Sequence, residues 1–155
     1  MDRPTVPPAV ADRWRELLDD AETTAEGYRA DGYRTLVVHP GEVTPLSGTP
    51  FGLDVVAPPD EYEALETLVD DAAFGASHVY RTEADDVRLF IVVVEGVTGS
   101  DAGDTAVVAP AFLPADASDG LAARAREEGV MYTHVRPPAE DARVTFTHDD
   151  PELFL

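Results

Sequence analysis

The sequence predicts an α+β fold: a mixed, mainly antiparallel sheet from two β-α-β-β units, preceded by an N-terminal helix and strand. Apolar residues recur at helical spacing in three segments of the chain. Short runs rich in valine and aromatic residues, bounded by proline, glycine or acidic turns, indicate strands between those segments. The resulting order is helix, strand, and then strand-helix-strand-strand twice, which favours the α+β class.

Residues 9–39 are expected to form the first helix and the first strand. The helix has one apolar stripe, made of Val10, Trp14, Leu17, Leu18, Ala21, Ala25 and Tyr28. Gly32 is placed to end it. Residues 34–39 then predict a strand, and the prolines and glycines of residues 40–50 predict a loop.

Residues 53–95 are expected to form the first β-α-β-β unit. A buried strand at 53–57 precedes Pro58 and Pro59, which open a helix that ends near Gly75. The strands at 78–82 and 87–95 are joined by an acidic turn, which predicts a hairpin.

Residues 104–148 are expected to form the second unit. A strand at 104–113, interrupted near Pro110, is followed by a helix at 116–128 that ends at Gly129. Strands at 130–136 and 143–148 predict a last hairpin. A chain of 155 residues can bury enough surface for one core, so we expect residues 1–155 to form a single domain.

Short identities accompany the repeated order of elements. The segment Val-Val-Ala-Pro at 55–58 recurs at 107–110. An arginine stands on each side of the acidic turn in both units: Arg81, Arg88, Arg136 and Arg143. Both a duplication and chance recurrence, in a chain rich in alanine, valine and aspartate, remain open. The architecture resembles GyrI-like domains over about residues 53–150, which implies binding of a small molecule between two such units. It also resembles vicinal-oxygen-chelate folds, which implies a metal site.

The charge of the chain predicts a salt-rich environment. Asp and Glu number 31 against 11 basic residues, all arginine, for a formal net charge of −20. Such self-repulsion is tolerable where molar salt shortens the screening length from roughly 10 Å to about 3 Å. The composition resembles uncharacterised haloarchaeal proteins, which implies a halophile cytosolic protein.

Several classes of function are excluded by composition. The absence of lysine and cysteine excludes Schiff-base lysines, thiol nucleophiles and cysteine-ligated metal sites. A pI near 4.2 without a basic stretch argues against nucleic acid. The longest apolar run, residues 89–94, is too short to cross a bilayer, and the start has no signal-peptide core, so a cytoplasmic location is expected.

Histidine supplies the candidates for metal binding. If the last hairpin turns symmetrically about residues 137–141, His134 and His148 share the apolar face of the sheet. With Asp149, Asp150 or Glu95 they would have the ligand types of a divalent transition metal. The alternative is that one histidine is satisfied at the sheet rim and the other is solvated.

Two further sets of residues are candidates for ligand binding. Arg81 and Arg136 could clamp an anion, or the arginines beside each turn could simply pair with Asp86 or Asp141 across their own turns. Tyr80 and Tyr132 could line a pocket between the two units in which Glu95 orients a ligand, or could belong to the core.

The sequence therefore favours a non-enzymatic module that binds a small ligand or a protein partner, without a cofactor. The alternative is a metal-dependent enzyme with a histidine and carboxylate site. Whether the chain is an enzyme and which oligomeric state it adopts stay open. The apolar residues 153–155 are expected to fold back on the core rather than to dock a partner.

We expect the melting temperature to rise steeply as KCl increases from about 0.2 M to about 2 M, because salt screens the repulsion among carboxylates. Thermal unfolding, monitored by circular dichroism, measures the melting temperature at each KCl concentration. Sucrose, which stabilises without screening, is the control. A melting temperature indifferent to KCl would overturn the halophile interpretation.

Overall fold

The computed structural model describes residues 11–84, 86–98, 104–114, 119–138 and 142–155. The elements in these ranges are α1 (Ala11–Ala30), β1 (Arg34–Val37), β2 (Glu42–Ser47), β3 (Phe51–Val56), α2 (Pro59–Asp71), β4 (Ala73–Ala84), β5 (Val87–Val97), β6 (Thr105–Pro114), α3 (Asp119–Glu128), β7 (Met131–Arg136), β8 (Val144–His148) and a C-terminal 3-10 helix (Pro151–Phe154). The predicted α+β class is confirmed.

The strands divide between two four-stranded sheets. We call them the first sheet, with the order β1-β6-β5-β4, and the second sheet, with the order β2-β3-β7-β8. One pair of neighbours in each sheet is parallel, β1 with β6 and β3 with β7, and the others are antiparallel. The prediction of mixed, mainly antiparallel pairing is confirmed.

The β-α-β-β order occurs twice, as β3-α2-β4-β5 and as β6-α3-β7-β8. In each unit the opening strand lies in one sheet and the hairpin in the other. β6, which opens the second unit, pairs antiparallel with β5, the second strand of the first unit's hairpin. β3, which opens the first unit, pairs parallel with β7, the first strand of the second unit's hairpin. The order of elements therefore recurs, but the strand pairing does not.

The loop expected at residues 40–50 is wrong, because this segment contains β2. β2 pairs with β3 alone and forms an edge of the second sheet. An edge strand can accommodate Pro45, since a residue without a backbone N–H needs no partner on the open side. Reasoning from proline and glycine content missed the strand for that reason.

Two other local predictions are also wrong. β6 continues through Pro110, because the β1 ladder ends at the pair Val37 and Val108 and leaves that side of β6 without a strand neighbour. Gly75 does not end α2, which stops at Asp71. It lies in β4, where the pairing with β5 is irregular between Phe74 and Ala76.

The first sheet lies between α1 and the second sheet, and alternate residues of β5 face each side. Towards α1, Val87, Leu89, Ile91 and Val93 pack with Trp14, Leu17, Ala21 and Ala25. Towards the second sheet, β5 contributes Phe90, Val92 and Val94 to the larger core, to which α2 adds Tyr62 and Leu65 and α3 adds Leu121 and Ala125. In the described ranges no helix is long and apolar enough to span a membrane.

His148 connects the two sheets inside this core. Its Nδ1 lies 2.7 Å from the hydroxyl of Ser77 on β4, and its Nε2 lies 2.8 Å from the hydroxyl of Thr133 on β7. The residue is 1% exposed. Burial, partly offset by the charge of Asp149, lowers the pKa of His148 to about 4. The ring is therefore neutral at neutral pH, and each nitrogen has a hydroxyl partner.

The lowered pKa of His148 makes stability depend on pH. In the unfolded chain the imidazole titrates near its ordinary value of about 6.5, so its contribution is complete above that pH. As the pH falls from about 6.5 towards 4, the unfolded state binds the proton first and the contribution is lost, at up to roughly 1.4 kcal/mol per pH unit.

We expect the native chain to have a higher free energy of unfolding than His148→Gln at neutral pH. The difference between the two free energies should shrink as the pH falls from about 6.5 towards 4. Urea unfolding at constant KCl measures both free energies, and the difference removes the effect of the many carboxylates that titrate in both proteins. Parallel stability curves would contradict the placement of His148 in the core.

The C-terminal residues fold back onto the core, as predicted. Phe154 is 2% exposed, and its ring centroid lies 4.9 Å from that of His148 and 6.0 Å from that of Phe90. Asp150 caps the 3-10 helix by accepting a hydrogen bond from the backbone N–H of Glu152. The neighbouring Leu153 is 36% exposed.

Phe154→Ala should lower the free energy of unfolding by about 3–5 kcal/mol, because it removes a large buried ring between the two sheets. Denaturant unfolding checks this value. Leu153→Ala is the matched control and should change stability by less than about 1 kcal/mol. Equal effects of the two substitutions would mean that the tail does not pack as described.

Candidate functional site

The register of β7 and β8 separates the two histidines proposed as metal ligands. His134 pairs with Thr145, and His148 pairs with Met131. A hairpin that is symmetrical about residues 137–141 would have a register that differs by one residue from this one. A shift of one residue moves the side chains of one strand to the opposite face relative to the other strand. The expectation that His134 and His148 share a face is therefore wrong. His148 faces the core, and His134 faces away from the first sheet.

Hydrogen bonds occupy both ring nitrogens of His134. Nε2 lies 2.8 Å from the backbone carbonyl oxygen of Phe51, and Nδ1 lies 2.9 Å from the hydroxyl of Thr145. A carbonyl oxygen can only accept, so in the neutral ring Nε2 carries the hydrogen and Nδ1 accepts from Thr145. The ring thus joins β7 to β8 and to the start of β3.

The described residues do not assemble the predicted metal centre. Among them, no group of three or more histidine, aspartate or glutamate side chains could hold a metal ion. The contact between Ser77 and His148 has the distance of a nucleophile and its base, but His148 is buried and its other nitrogen meets a hydroxyl instead of a carboxylate. That geometry indicates a structural role.

A cleft opens beside His134, on the side of the second sheet that faces away from the first. Its cavity has a volume of about 290 Å³. It is lined by Gly48, Thr49, Pro50, Phe51, Arg124, Tyr132, His134 and Thr145. The rings of Phe51 and Tyr132 meet edge to face with centroids 5.1 Å apart, and the Arg124 guanidinium carbon lies 5.1 Å from the Phe51 centroid.

The cleft depends on a glycine at the second position of β3. Gly52 has a φ of +131°, a conformation that favours glycine, and a Cβ there would collide with the carbonyl oxygen of Tyr132. The missing side chain allows β3 to lie close to β7. Phe51, Tyr132 and His134 consequently converge on one side of the cleft.

Arg136 forms an ion pair next to this cleft instead of across its own turn. Its Nε lies 3.1 Å and 3.2 Å from the two carboxylate oxygens of Asp54 on β3. The Asp54 carboxyl is 11% exposed, so the pair is largely shielded from water. The turn partner considered from the sequence, Asp141, lies outside the described residues.

The recurring arginines do not occupy equivalent environments. Arg88 lies 3.4 Å from Glu83 across the β4-β5 turn, although Asp86 was the partner considered from the sequence. Arg81 is exposed on β4, and its positive charge contributes a little to lowering the pKa of Glu152, after the dominant hydrogen bond from Arg126. Arg143 is exposed before β8.

The candidate ligand residues fall on different surfaces. Tyr132 and Arg136 belong to the second sheet, next to or near the cleft. Glu95 and Tyr80 lie on the first sheet, on the face that α1 packs against, so the expected pocket between the two units does not unite them with Tyr132. Sequence reasoning missed Phe51 and Arg124, because only the tertiary fold brings β3, β7 and α3 together.

Comparison with known proteins identifies a family for this chain. No curated protein and no solved structure matches it. A family model described as a family of unknown function, DUF7529, matches residues 5–155, which is almost the entire chain. The chain therefore belongs to the DUF7529 family of unknown function.

Proposed function

We propose that this protein is a non-enzymatic module that binds a small organic anion in the cleft of the second sheet. The observation that carries the proposal is the cavity of about 290 Å³ next to Phe51, Tyr132 and Arg124. Its volume is close to the lower limit of ordinary ligand pockets, roughly 300 Å³. A small metabolite fits this space.

The lining of the cleft favours a ligand with a flat or apolar part. Phe51 and Tyr132 present two aromatic rings at an angle of 65°, and Pro50 adds a further apolar surface. Apolar walls with a few fixed polar groups are typical of small-molecule sites. Thr145 and His134 hold each other by a hydrogen bond, which fixes the polar floor of the cleft.

The charge of the lining favours an anion. Acidic residues number 31 of 155 in the chain, yet the described lining contains none and includes Arg124. Among the described residues, the closest approach of Arg124 to a carboxylate is 4.0 Å, from its Nε to Glu128, which is too long for a hydrogen bond. The guanidinium therefore retains donors for a ligand carboxylate or phosphate.

The acidic composition supports the view that this binding takes place in a salt-rich cytosol. The repeated β-α-β-β order similarly supports a duplicated, GyrI-like origin, although the unequal pairing of the two sheets would require that the copies diverged. The metal-dependent enzyme is the less favoured proposal, since His134 and His148 lie on opposite faces of their sheet.

Binding of benzoate and of its uncharged analogue benzamide tests the proposal. We expect benzoate to raise the melting temperature and to shift the NMR signals of Tyr132 and His134, while benzamide has a much weaker effect. A charged hydrogen bond contributes about 1.5–3 kcal/mol, so Arg124→Gln should weaken benzoate binding by about 10-fold or more.

Arg126→Gln is the matched control. It removes the same charge from the same helix, but Arg126 pairs with Glu152 at 2.9 Å instead of lining the cleft. Its affinity for benzoate should equal that of the native chain. Equal binding of benzoate and benzamide, an unchanged affinity in Arg124→Gln, or no shifts at the cleft with either compound would overturn the proposal.

A further inference from the structure

The first sheet has a partly open surface at the C-terminal end of α1. Val87, Leu89, Ile91 and Val93 of β5 are buried on the face that α1 covers. The next two side chains of this row are Glu95, which is half-buried, and Val97, which is 62% exposed. The helix ends at Ala30, and its last aromatic side chain, Tyr28, reaches Glu95. The strand thus extends beyond the cover of the helix.

Glu95 is a partly buried carboxylate without an arginine partner among the described residues. The hydroxyl of Tyr28 donates to Glu95 Oε2 at 2.6 Å, and His78 Nε2 lies 3.3 Å from the same oxygen. The Glu95 side chain is 26% exposed and that of His78 is 49% exposed. Glu95 therefore has a hydroxyl group and an imidazole ring beside it, but no guanidinium group among the described residues.

Two tyrosine rings form a corner next to this carboxylate. The rings of Tyr28 and Tyr33 are 5.0 Å apart at an angle of 79°. The negative charge of Glu95, followed by burial, raises the pKa of Tyr33. Burial, followed by the hydrogen bond to Glu95, raises the pKa of Tyr28. Both rings stay neutral at ordinary pH.

A third tyrosine lies on the same face. Tyr80 on β4 pairs with Ile91 and is 57% exposed, which is unusual for a large aromatic residue in the middle of a strand. The exposed Val97 lies on this face as well. The surface next to Glu95 is therefore aromatic and apolar, although most of the protein's surface is expected to be acidic.

A carboxylate next to two aromatic rings favours one kind of ligand. Anions are disfavoured by Glu95 and by Asp31 and Asp104, whose charges also raise the pKa of Tyr33. A metal ion would find one carboxylate and one histidine, which is too few ligands for a stable site. An alkylated ammonium ion is weakly hydrated, is attracted by the ring faces and is neutralised by the carboxylate.

We propose that Tyr28, Tyr33 and Glu95 form a second binding site, which takes an alkylated ammonium group and lies on the opposite side of the molecule from the cleft. The site is independent of the anion cleft, because it belongs to the outer face of the other sheet, and either site could exist without the other.

Choline and its uncharged isostere 3,3-dimethylbutan-1-ol test this site. The experiment is an NMR titration of the full chain in the lowest KCl concentration that retains the fold, because salt screens the attraction between the cation and Glu95. We expect choline to shift the ring signals of Tyr28 and Tyr33, with no comparable shift from the alcohol. Binding of the alcohol with equal strength, or choline shifts confined to other residues, would overturn the proposal.

Substitutions separate the carboxylate from the rings. Glu95→Gln keeps an acceptor for the Tyr28 hydroxyl but removes the charge, and it should weaken choline binding at least 10-fold. Tyr33→Leu keeps an apolar side chain but removes a ring face, and it should also weaken binding. Glu83→Gln makes the same change of charge at an exposed residue of β4 and should have no effect. Unchanged affinity in both Glu95→Gln and Tyr33→Leu would overturn the proposal.

Discussion

The register between β7 and β8 is the constraint on which the rest of the structure depends. Because Met131 pairs with His148 and Thr133 with Phe146, His148 points into the core and can reach Ser77 on the other sheet. The same register turns His134 to the outer face. A shift by one residue would turn His148 away from the core and would turn His134 towards it.

The two outer faces differ because α1 covers only one of them. On the first sheet, α1 buries most of β5 and leaves the corner around Glu95 open at its end. On the second sheet, the row formed by Asp54, His134 and Thr145 crosses three strands on the outer face. The polar groups of this row are paired with one another or with Arg136, and the cleft opens next to them. The chemistry of the molecule is thus concentrated on these outer faces.

Local patterns were sufficient to predict most of the secondary structure. The apolar stripe of α1, the positive-φ residues Gly32 and Gly129 at helix ends, and the hairpins all follow from rules that act over a few residues. β2 and the continuity of β6 were not predicted, because the tolerance of Pro45 and Pro110 depends on whether a neighbouring strand is present. That information is not local.

The candidate sites were harder to predict than the fold. Tyr132 and Glu95 were identified as candidates, but their partners Phe51, Arg124 and Tyr28 come from distant parts of the chain. The pairing of the two histidines failed because the observed register of β7 and β8 differs by one residue from the symmetrical register that was assumed. The sequence of a strand shows which side chains share a face. The register with the neighbouring strand decides whether that face points to the core, and a shift of one residue reverses it.

A long-range ¹H–¹⁵N spectrum of the histidine side chains at neutral pH tests the register most directly. The structure predicts a fixed ring for His134 with the hydrogen on Nε2, because Nε2 faces the carbonyl oxygen of Phe51 and the hydroxyl of Thr145 holds Nδ1. Averaged signals from two exchanging tautomers, as in an exposed imidazole, would contradict this register and the cleft that depends on it.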